Sequence, residues 1–175
     1  MGGKILIIGS GAREHAILKS LSNSKAENEL FCVGTNLNPG ISQICEEIVI
    51  KDINNTSLIK RYAKDRKISL AIVGPENPLE AGMSNELLDI GIQVIGPKKE
   101  LAQIETSKTF TRNLLNEYNI PGGPKYKSFK SLVGASEFLE HLGDDYVVKY
   151  DGLAGGKGVK AVSYTHLTLP TNGCV

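Results

Sequence analysis

The sequence has little net charge, no long hydrophobic run and few cysteines. Its 20 basic and 19 acidic residues leave a formal net charge of +1, so no broad field attracts nucleic acid or an anionic membrane. The longest early apolar run, Ile5 to Ile8, is far too short for a signal-peptide core or a membrane span. We therefore expect no nucleic-acid partner, no membrane partner and a cytoplasmic location.

Cysteine use excludes two further kinds of architecture. The three cysteines, Cys32, Cys45 and Cys174, are odd in number and far apart, which argues against a disulfide framework or a zinc cluster. Buried or incidental thiols are the simpler interpretation. What the chain does have is 175 residues, 41% of them hydrophobic, enough for one domain and part of another.

The first 97 residues alternate between strand and helix patterns. The segments 4–8 and 69–73 are apolar after their first residue and have the length of strands in a parallel sheet that is covered on both faces. Residues 12–21 carry apolar side chains at helical spacing. This alternation predicts an α/β fold with a doubly wound, mostly parallel, Rossmann-like sheet.

A Gly-Ser-Gly turn at 9–11 joins the first strand to the first helix. Backbone amides at such a helix start favour an anion. A dinucleotide site would continue G-x-G-x-x-G, but Glu14 stands at the third glycine, and the second strand is followed by Gly-Thr-Asn at 34–36 rather than by an acid. NAD is therefore disfavoured, and Arg13, Glu14 and His15 could instead hold a lone phosphate and a ribose. The alternative is that Arg13 and Glu14 are solvated and that His15 packs under the sheet; we favour it for His15 and favour the binding role for Arg13.

A second turn, at 74–79, follows another buried strand and contains two prolines and a glycine. It is predicted to be rigid and to leave Glu76 at the strand end, where open α/β sheets bind ligands. A carboxylate there can accept sugar hydroxyls or an amine. A capped turn with an exposed Glu76 and no ligand is the alternative.

A glycine-rich segment follows a short apolar strand near residue 150. Bare backbone beside lysine side chains suits a loop that wraps phosphates. It is not a Walker loop, because Asp151 stands where the first glycine should be and Gly158 replaces the Ser or Thr that would hold magnesium. A plain hairpin between two strands is the structural alternative.

Three motifs in the right order resemble those of one family. They read Gly-Ser-Gly-Ala-Arg-Glu-His-Ala at 9–16, Gly-Pro-Glu-Asn-Pro-Leu at 74–79 and Val-Lys-Tyr-Asp-Gly-Leu-Ala-Gly-Gly-Lys-Gly-Val at 148–159. Together they closely resemble the phosphoribosylamine–glycine ligases, also called glycinamide ribonucleotide synthetases, of the ATP-grasp superfamily. Ala12, where the family more often has glycine, is a mild departure. The resemblance covers about 4–162.

The resemblance implies ATP-dependent ligation of glycine to 5-phosphoribosylamine, which gives glycinamide ribonucleotide, ADP and phosphate in de novo purine biosynthesis. It implies Mg2+ or Mn2+ as well, with the metal ligands, the glycine site and the catalytic residues expected beyond Val162. The chain alone is therefore expected to be inactive. Another ATP-grasp carboxylate–amine ligase or carboxylase, or a non-enzymatic nucleotide-binding module, remains the alternative.

The resemblance also assigns roles to individual residues. The helix after Ser107 begins with Lys108, which resembles the family's first ATP-contacting lysine, although an exposed structural lysine would fit the pattern too. The substrate-binding residues are Gly9, Gly11, Arg13, Glu14 and Glu76. The nucleotide-binding residues are Lys108, Lys149, Asp151, Gly152, Gly155, Gly156, Lys157 and Gly158.

The expected domain order follows from the same resemblance. Residues 1–97 form the substrate-binding domain and 98–123 a helical linker into the ATP-grasp domain. Residues 124–162 form part of its small lid subdomain, with a strand at 125–129, a helix at 132–142 and a strand at 146–149. The tail 163–175 has no Asp, Glu, Lys or Arg and is interpreted as non-native.

Overall fold

The computed structural model describes residues 2–131 and 133–162, so the expected non-native tail lies outside the described residues. The chain divides into two compact units, Met1–Thr106 and Ser107–Val175. This division lies inside the segment 98–123 that the sequence predicts as a linker. Within the described ranges, no helix combines the length and the apolar character needed to cross a membrane.

The described part of the first unit is built on a five-stranded parallel sheet in the order β3-β2-β1-β4-β5. Its strands are β1 (Lys4–Ile8), β2 (Glu29–Gly34), β3 (Glu47–Ile50), β4 (Leu70–Val73) and β5 (Gln93–Ile95). Its helices are α1 (Ala12–Ser22), α2 (Pro39–Ser42), α3 (Thr56–Asp65), α4 (Glu76–Ala81), α5 (Met83–Leu88) and α6 (Lys99–Thr106). The predicted doubly wound, mostly parallel sheet is confirmed.

The central strand β1 is apolar on both faces because helices cover both sides of the sheet. Leu6 and Ile8 lie in the core cluster that also takes in side chains of α3, α5 and α6. Ile7 lies in the opposite cluster with Leu18 of α1 and Ile41 of α2. Successive side chains of a strand point to opposite faces, so a continuous apolar run is what two covered faces require.

The segment 74–79 differs from the rigid turn predicted for it. Helix α4 begins at Glu76, with Pro75 as its extended N-cap residue. Proline is tolerated in the first helical turn, where the missing amide has no partner to lose, so Pro78 does not prevent the helix. The helix ends at Gly82, whose φ of +92° is left-handed. Glu76 is thus held by a helix start rather than by a loop.

The second unit contains two helices and a hairpin in its described part: α7 (Lys108–Glu117), α8 (Ala135–Leu142), β6 (Tyr146–Lys149) and β7 (Val159–Val162). The strands pair antiparallel, with Lys149 opposite Val159. The predicted strand at 125–129 is wrong. Among the described residues no strand pairs with it. Its side chains pack nearby instead: the Tyr126 hydroxyl donates to Asn113, and the Phe129 ring lies 5.9 Å from that of Phe138.

Replacing Leu6 with alanine should cost about 2–5 kcal/mol of unfolding free energy, because the side chain is fully buried in the central strand and leaves a cavity. Urea denaturation measures the change. The matched control is Leu101→Ala on α6, where the side chain is 62% exposed and the expected change is within about 0.5 kcal/mol. Equal losses for the two variants would contradict the assignment of β1 to the core.

Candidate functional site

The candidate site of the first unit lies between the carboxyl ends of β1 and β4. These neighbours stand where the strand order reverses, because the chain moves from β1 towards β2 on one side and from β4 towards β5 on the other. Helix α1 packs on one face of the sheet, and α4 contributes to the other. In open α/β sheets this reversal opens a crevice that commonly binds ligands.

Arg13 and Glu76 are brought together across this crevice. The Arg13 guanidinium donates from Nη1 to the carbonyl oxygen of Gly74 at 2.8 Å, and its Nη2 lies 3.3 Å from Glu76 Oε1. The Arg13 side chain is 62% exposed and that of Glu76 33%. Both predicted residues therefore reach solvent at the same point, although 63 positions separate them in sequence.

Glu14 lies beneath the crevice rather than in it. Its residue is 4% exposed, and its Oε2 accepts a hydrogen bond from the amide of Gly11 at 2.7 Å. A Cβ at position 74 would lie 2.1 Å from Glu14 Oε1, so only glycine leaves room there. The sequence signal for this role is an acid at the third helical position, which reaches back to the N-cap amide.

Gly9 has two reasons to be glycine. Its φ of +116° is left-handed, and a Cβ there would lie 2.8 Å from Cδ of Pro75 and 2.9 Å from Cγ of Glu14. Its amide donates to the carbonyl of Val33 at 2.8 Å. The first turn is thereby fixed against the end of β2 and against the turn that follows β4.

The loop after β2 forms a third side of this region, through contacts that the sequence analysis does not predict. The amide of Asn36 donates to Ser10 Oγ at 3.4 Å, and Nδ2 of Asn38 donates to the carbonyl of Ser10 at 3.1 Å. Asn38 Oδ1 also accepts the amides of Gly40 and Ile41 at the start of α2. An asparagine before Pro-Gly is the signal that could have indicated this cap.

The candidate site of the second unit is the glycine-rich loop between β6 and β7. The amide of Tyr150 donates to the carbonyl of Gly158 at 2.7 Å and closes the hairpin. Gly155 and Gly156 have left-handed φ values of +52° and +78°. The predicted Lys149 and Lys157 are both exposed, so their ammonium groups are accessible to a ligand.

Lys108, Asp151 and Gly152 are brought together at the base of this loop. Lys108 Nζ donates to the carbonyl of Gly152 at 2.8 Å. The Asp151 carboxylate accepts from the amide of Thr109 at 3.1 Å and from Ser107 Oγ at 3.3 Å. The loop is therefore joined to the start of α7, and Ser107 and Thr109 are contributors that the sequence analysis does not assign to the site.

The described residues offer neither a metal cluster nor a reactive thiol. Among residues 2–131 and 133–162, no group of three or more His, Cys, Asp or Glu side chains could hold a metal ion. Burial raises the pKa of Cys32 to about 12 and that of Cys45 to about 11. Both thiols therefore stay protonated at neutral pH, as expected of structural cysteines. Cys174 lies outside the described residues.

Two family models match the chain. The model described as the N domain of phosphoribosylglycinamide synthetase matches residues 3–105. The model described as the ATP-grasp (A) domain of the same synthetase matches residues 106–169. The first contains the crevice between β1 and β4, and the second contains α7 and the glycine-rich loop.

Individual relatives agree with these matches. The phosphoribosylamine–glycine ligase of Methanosarcina barkeri is 44% identical over 91% of the chain, and that of Methanococcus maripaludis is 45% identical over 91%. The chain spans only 36% of the length of each of these curated relatives.

Solved structures share the fold. An ADP complex of N5-carboxyaminoimidazole ribonucleotide synthetase superposes with a TM-score of 0.74 at 15% identity, over 94% of this chain and 42% of that one. The phosphoribosylamine–glycine ligase of Thermotoga maritima superposes with a TM-score of 0.69 at 23% identity, over 91% of this chain and 36% of that one.

Replacing Gly74 with alanine should destabilise the first unit by roughly 1–3 kcal/mol, because the new methyl group would overlap the buried Glu14 carboxylate. The same replacement should cost much less in a Glu14→Ala background, so urea denaturation of the four proteins should show strong coupling. Gly123→Ala is the control, because a Cβ there would overlap nothing: its nearest neighbour, Nη1 of Arg112, would lie at an ordinary contact distance of 3.5 Å. Additive effects at positions 14 and 74 would contradict the contact.

The contacts of Asp151 should depend on pH. Burial raises its pKa, but hydrogen bonds from Thr109, from the Lys108 amide and from Ser107 outweigh burial and hold the pKa below the usual value. The hydrogen bonds of the Asp151 carboxylate should therefore contribute fully to the free energy of unfolding above pH ~4, the ordinary pKa of an aspartate. This contribution should be lost as the pH falls through the lower pKa that Asp151 has in the folded protein.

The amide proton shift of Thr109, followed by NMR from neutral to acid pH, reports this transition directly. Asp151→Asn should abolish the transition while leaving the rest of the spectrum in place. A Thr109 shift that titrates identically in the two proteins would show that another group is responsible.

Proposed function

We propose that this chain, which belongs to the phosphoribosylglycinamide synthetase family, is part of an ATP-dependent ligase that joins glycine to 5-phosphoribosylamine. The products would be glycinamide ribonucleotide, ADP and phosphate, a step of purine biosynthesis. Because the chain spans 36% of its relatives' length, the complete reaction is proposed only for a protein that carries the remaining parts.

The observation that carries the proposal is the pairing of Arg13 with Glu76 at the reversal of strand order. A guanidinium beside the first amides of α1, which have no partner within the helix, suits a sugar phosphate. The Glu76 carboxylate can accept hydroxyl groups or an amine. In a phosphorylated aminosugar, the guanidinium would bind the phosphate, and the carboxylate would bind the hydroxyls or the amine.

Glu14 has a different role in this proposal from direct contact with substrate. Its carboxylate is buried and already accepts the Gly11 amide. A carboxylate in direct contact with the phosphate would repel it. The Glu14 carboxylate is instead buried, with its Oε2 on the Gly11 amide. We assign Glu14 the task of fixing the turn at 9–11 and the turn at Gly74 around the start of α1, whose first amides and Arg13 would receive the phosphate.

For the second unit we propose nucleotide binding. Lys108, Lys149 and Lys157 supply positive charge around a loop whose glycines let phosphate oxygens approach the backbone. The solved structure described as an ADP complex has the same fold over 94% of this chain. ATP is the nucleotide that a ligase with these residues would use.

The residues described here do not fit the magnesium or manganese that the family implies, since they include no carboxylate cluster. We propose that the metal ligands lie in the part of the protein beyond Val162. The same holds for the glycine site.

In the proposed reaction the glycine carboxylate takes the terminal phosphoryl group of ATP, and the amine of 5-phosphoribosylamine attacks that acyl phosphate. A carbon–nitrogen bond forms, phosphate leaves, and the amine gives up a proton. The part played by this chain is to bind and orient the two phosphorylated reactants, which is the main contribution of a protein to phosphoryl transfer.

Ribose 5-phosphate should bind to the 175-residue chain, and Arg13→Ala should weaken binding by roughly tenfold or more, because a charged hydrogen bond is lost. Isothermal titration calorimetry measures both affinities. Arg61→Ala, on the exposed face of α3, should leave binding unchanged. Indifference of the affinity to Arg13 would remove the proposed substrate site.

A chain that binds ADP but no sugar phosphate would instead be a nucleotide-binding module or another ATP-grasp enzyme. The ligase itself is tested in a protein extended to the relatives' full length. ADP release should then require both glycine and 5-phosphoribosylamine, and release that needs neither would contradict the proposed reaction.

A further inference from the structure

Asp151 belongs to the glycine-rich loop in sequence, but its side chain is directed to the start of α7. Its Oδ1 accepts the amide of Thr109 at 3.1 Å and the hydroxyl of Ser107 at 3.3 Å. The Ser107 hydroxyl in turn accepts the amide of Phe110 at 3.1 Å. The first amides of a helix have no partner within the helix, so Asp151 completes a cap that Ser107 begins.

A second contact runs in the opposite direction between the same two segments. Lys108, the first residue of α7, extends its ammonium group to the carbonyl of Gly152 at 2.8 Å. An ammonium group has three donors, so this bond leaves two for another acceptor such as a phosphate oxygen. The two contacts together hold the Lys108 ammonium at the base of the loop.

Charge explains why Asp151 faces the helix. A carboxylate turned towards bound phosphates would repel them, and it would offset the attraction of Lys149 and Lys157. The start of a helix carries partial positive charge, and it favours a carboxylate in that place. An aspartate can therefore stand inside a phosphate-binding loop without weakening it, provided that the carboxylate stays on the cap.

We propose that Asp151 is a positioning residue: it fixes the start of α7 to the glycine-rich loop and so places the Lys108 ammonium for nucleotide phosphates, without touching the nucleotide itself. This inference rests on the proposed nucleotide binding of the second unit. It reassigns a residue that the sequence analysis placed among the nucleotide contacts.

The first experiment needs no nucleotide. Amide hydrogen exchange of the whole chain is compared for Asp151→Ala, Asp151→Asn and the exposed control Asp144→Ala. The Thr109 amide should exchange about tenfold faster in Asp151→Ala, because it loses its acceptor, and Asn should restore most of the protection as a competent cap. Amides of β6 and β7 report whether the hairpin remains folded.

The second experiment measures ADP affinity by calorimetry in a cycle of Asp151→Ala and Lys108→Met. Each single change should weaken binding by about tenfold, and the double variant should be no weaker than Lys108→Met alone, because Asp151 acts through Lys108. Asp144→Ala should match the unchanged chain.

The outcomes separate the two claims. If the chain binds no ADP, the proposed nucleotide function fails for this chain, while faster Thr109 exchange in Asp151→Ala still supports the cap. Unchanged Thr109 exchange in Asp151→Ala overturns the inference, whatever happens to ADP. Additive losses in the cycle also overturn it, because they would show that Asp151 contacts the nucleotide independently of Lys108.

Discussion

The first unit depends on a carboxylate buried where two turns meet. Glu14 accepts the amide of Gly11 and lies against positions 9 and 74, which have no side chains to displace it. One residue earlier on the same helical turn, Arg13 faces outward and binds the carbonyl of Gly74. The turns at 9–11 and at Gly74 are thus joined by the buried Glu14 and by the exposed Arg13, which are adjacent at the start of α1.

In the second unit, too, charged side chains join a helix start to a glycine-containing turn, although the residues are different. There the loop supplies a carboxylate to a helix start, and the helix start returns an ammonium group to the loop. In both units a short glycine-containing turn is held by side chains that are distant in sequence. Glycine lets neighbouring groups approach the backbone closely, and the side-chain contacts limit the conformational freedom that glycine would otherwise have.

Local sequence patterns were sufficient to predict the strands and helices whose apolar residues follow a regular spacing. The segment at 4–8 predicted β1 to the residue, and the strand predicted at 146–149 was also correct. The strand predicted at 125–129 failed because pairing requires a partner that no local pattern reveals. The prolines at 75 and 78 suggested a turn, whereas Pro75 is the N-cap residue of α4 and Pro78 is tolerated in its first turn. The contacts of Asp151 with α7 span 42 to 44 positions and leave no periodic signal.

The proposed function requires above all that the crevice between β1 and β4 receive a phosphorylated sugar. NMR shift mapping of the chain during titration with ribose 5-phosphate tests it most directly, since every backbone amide except those of proline is observed at once. We expect the largest shifts at the amides of residues 9–13 and 74–76, with α3 unaffected. Shifts confined to other surfaces, or none at saturating ligand, would contradict the account.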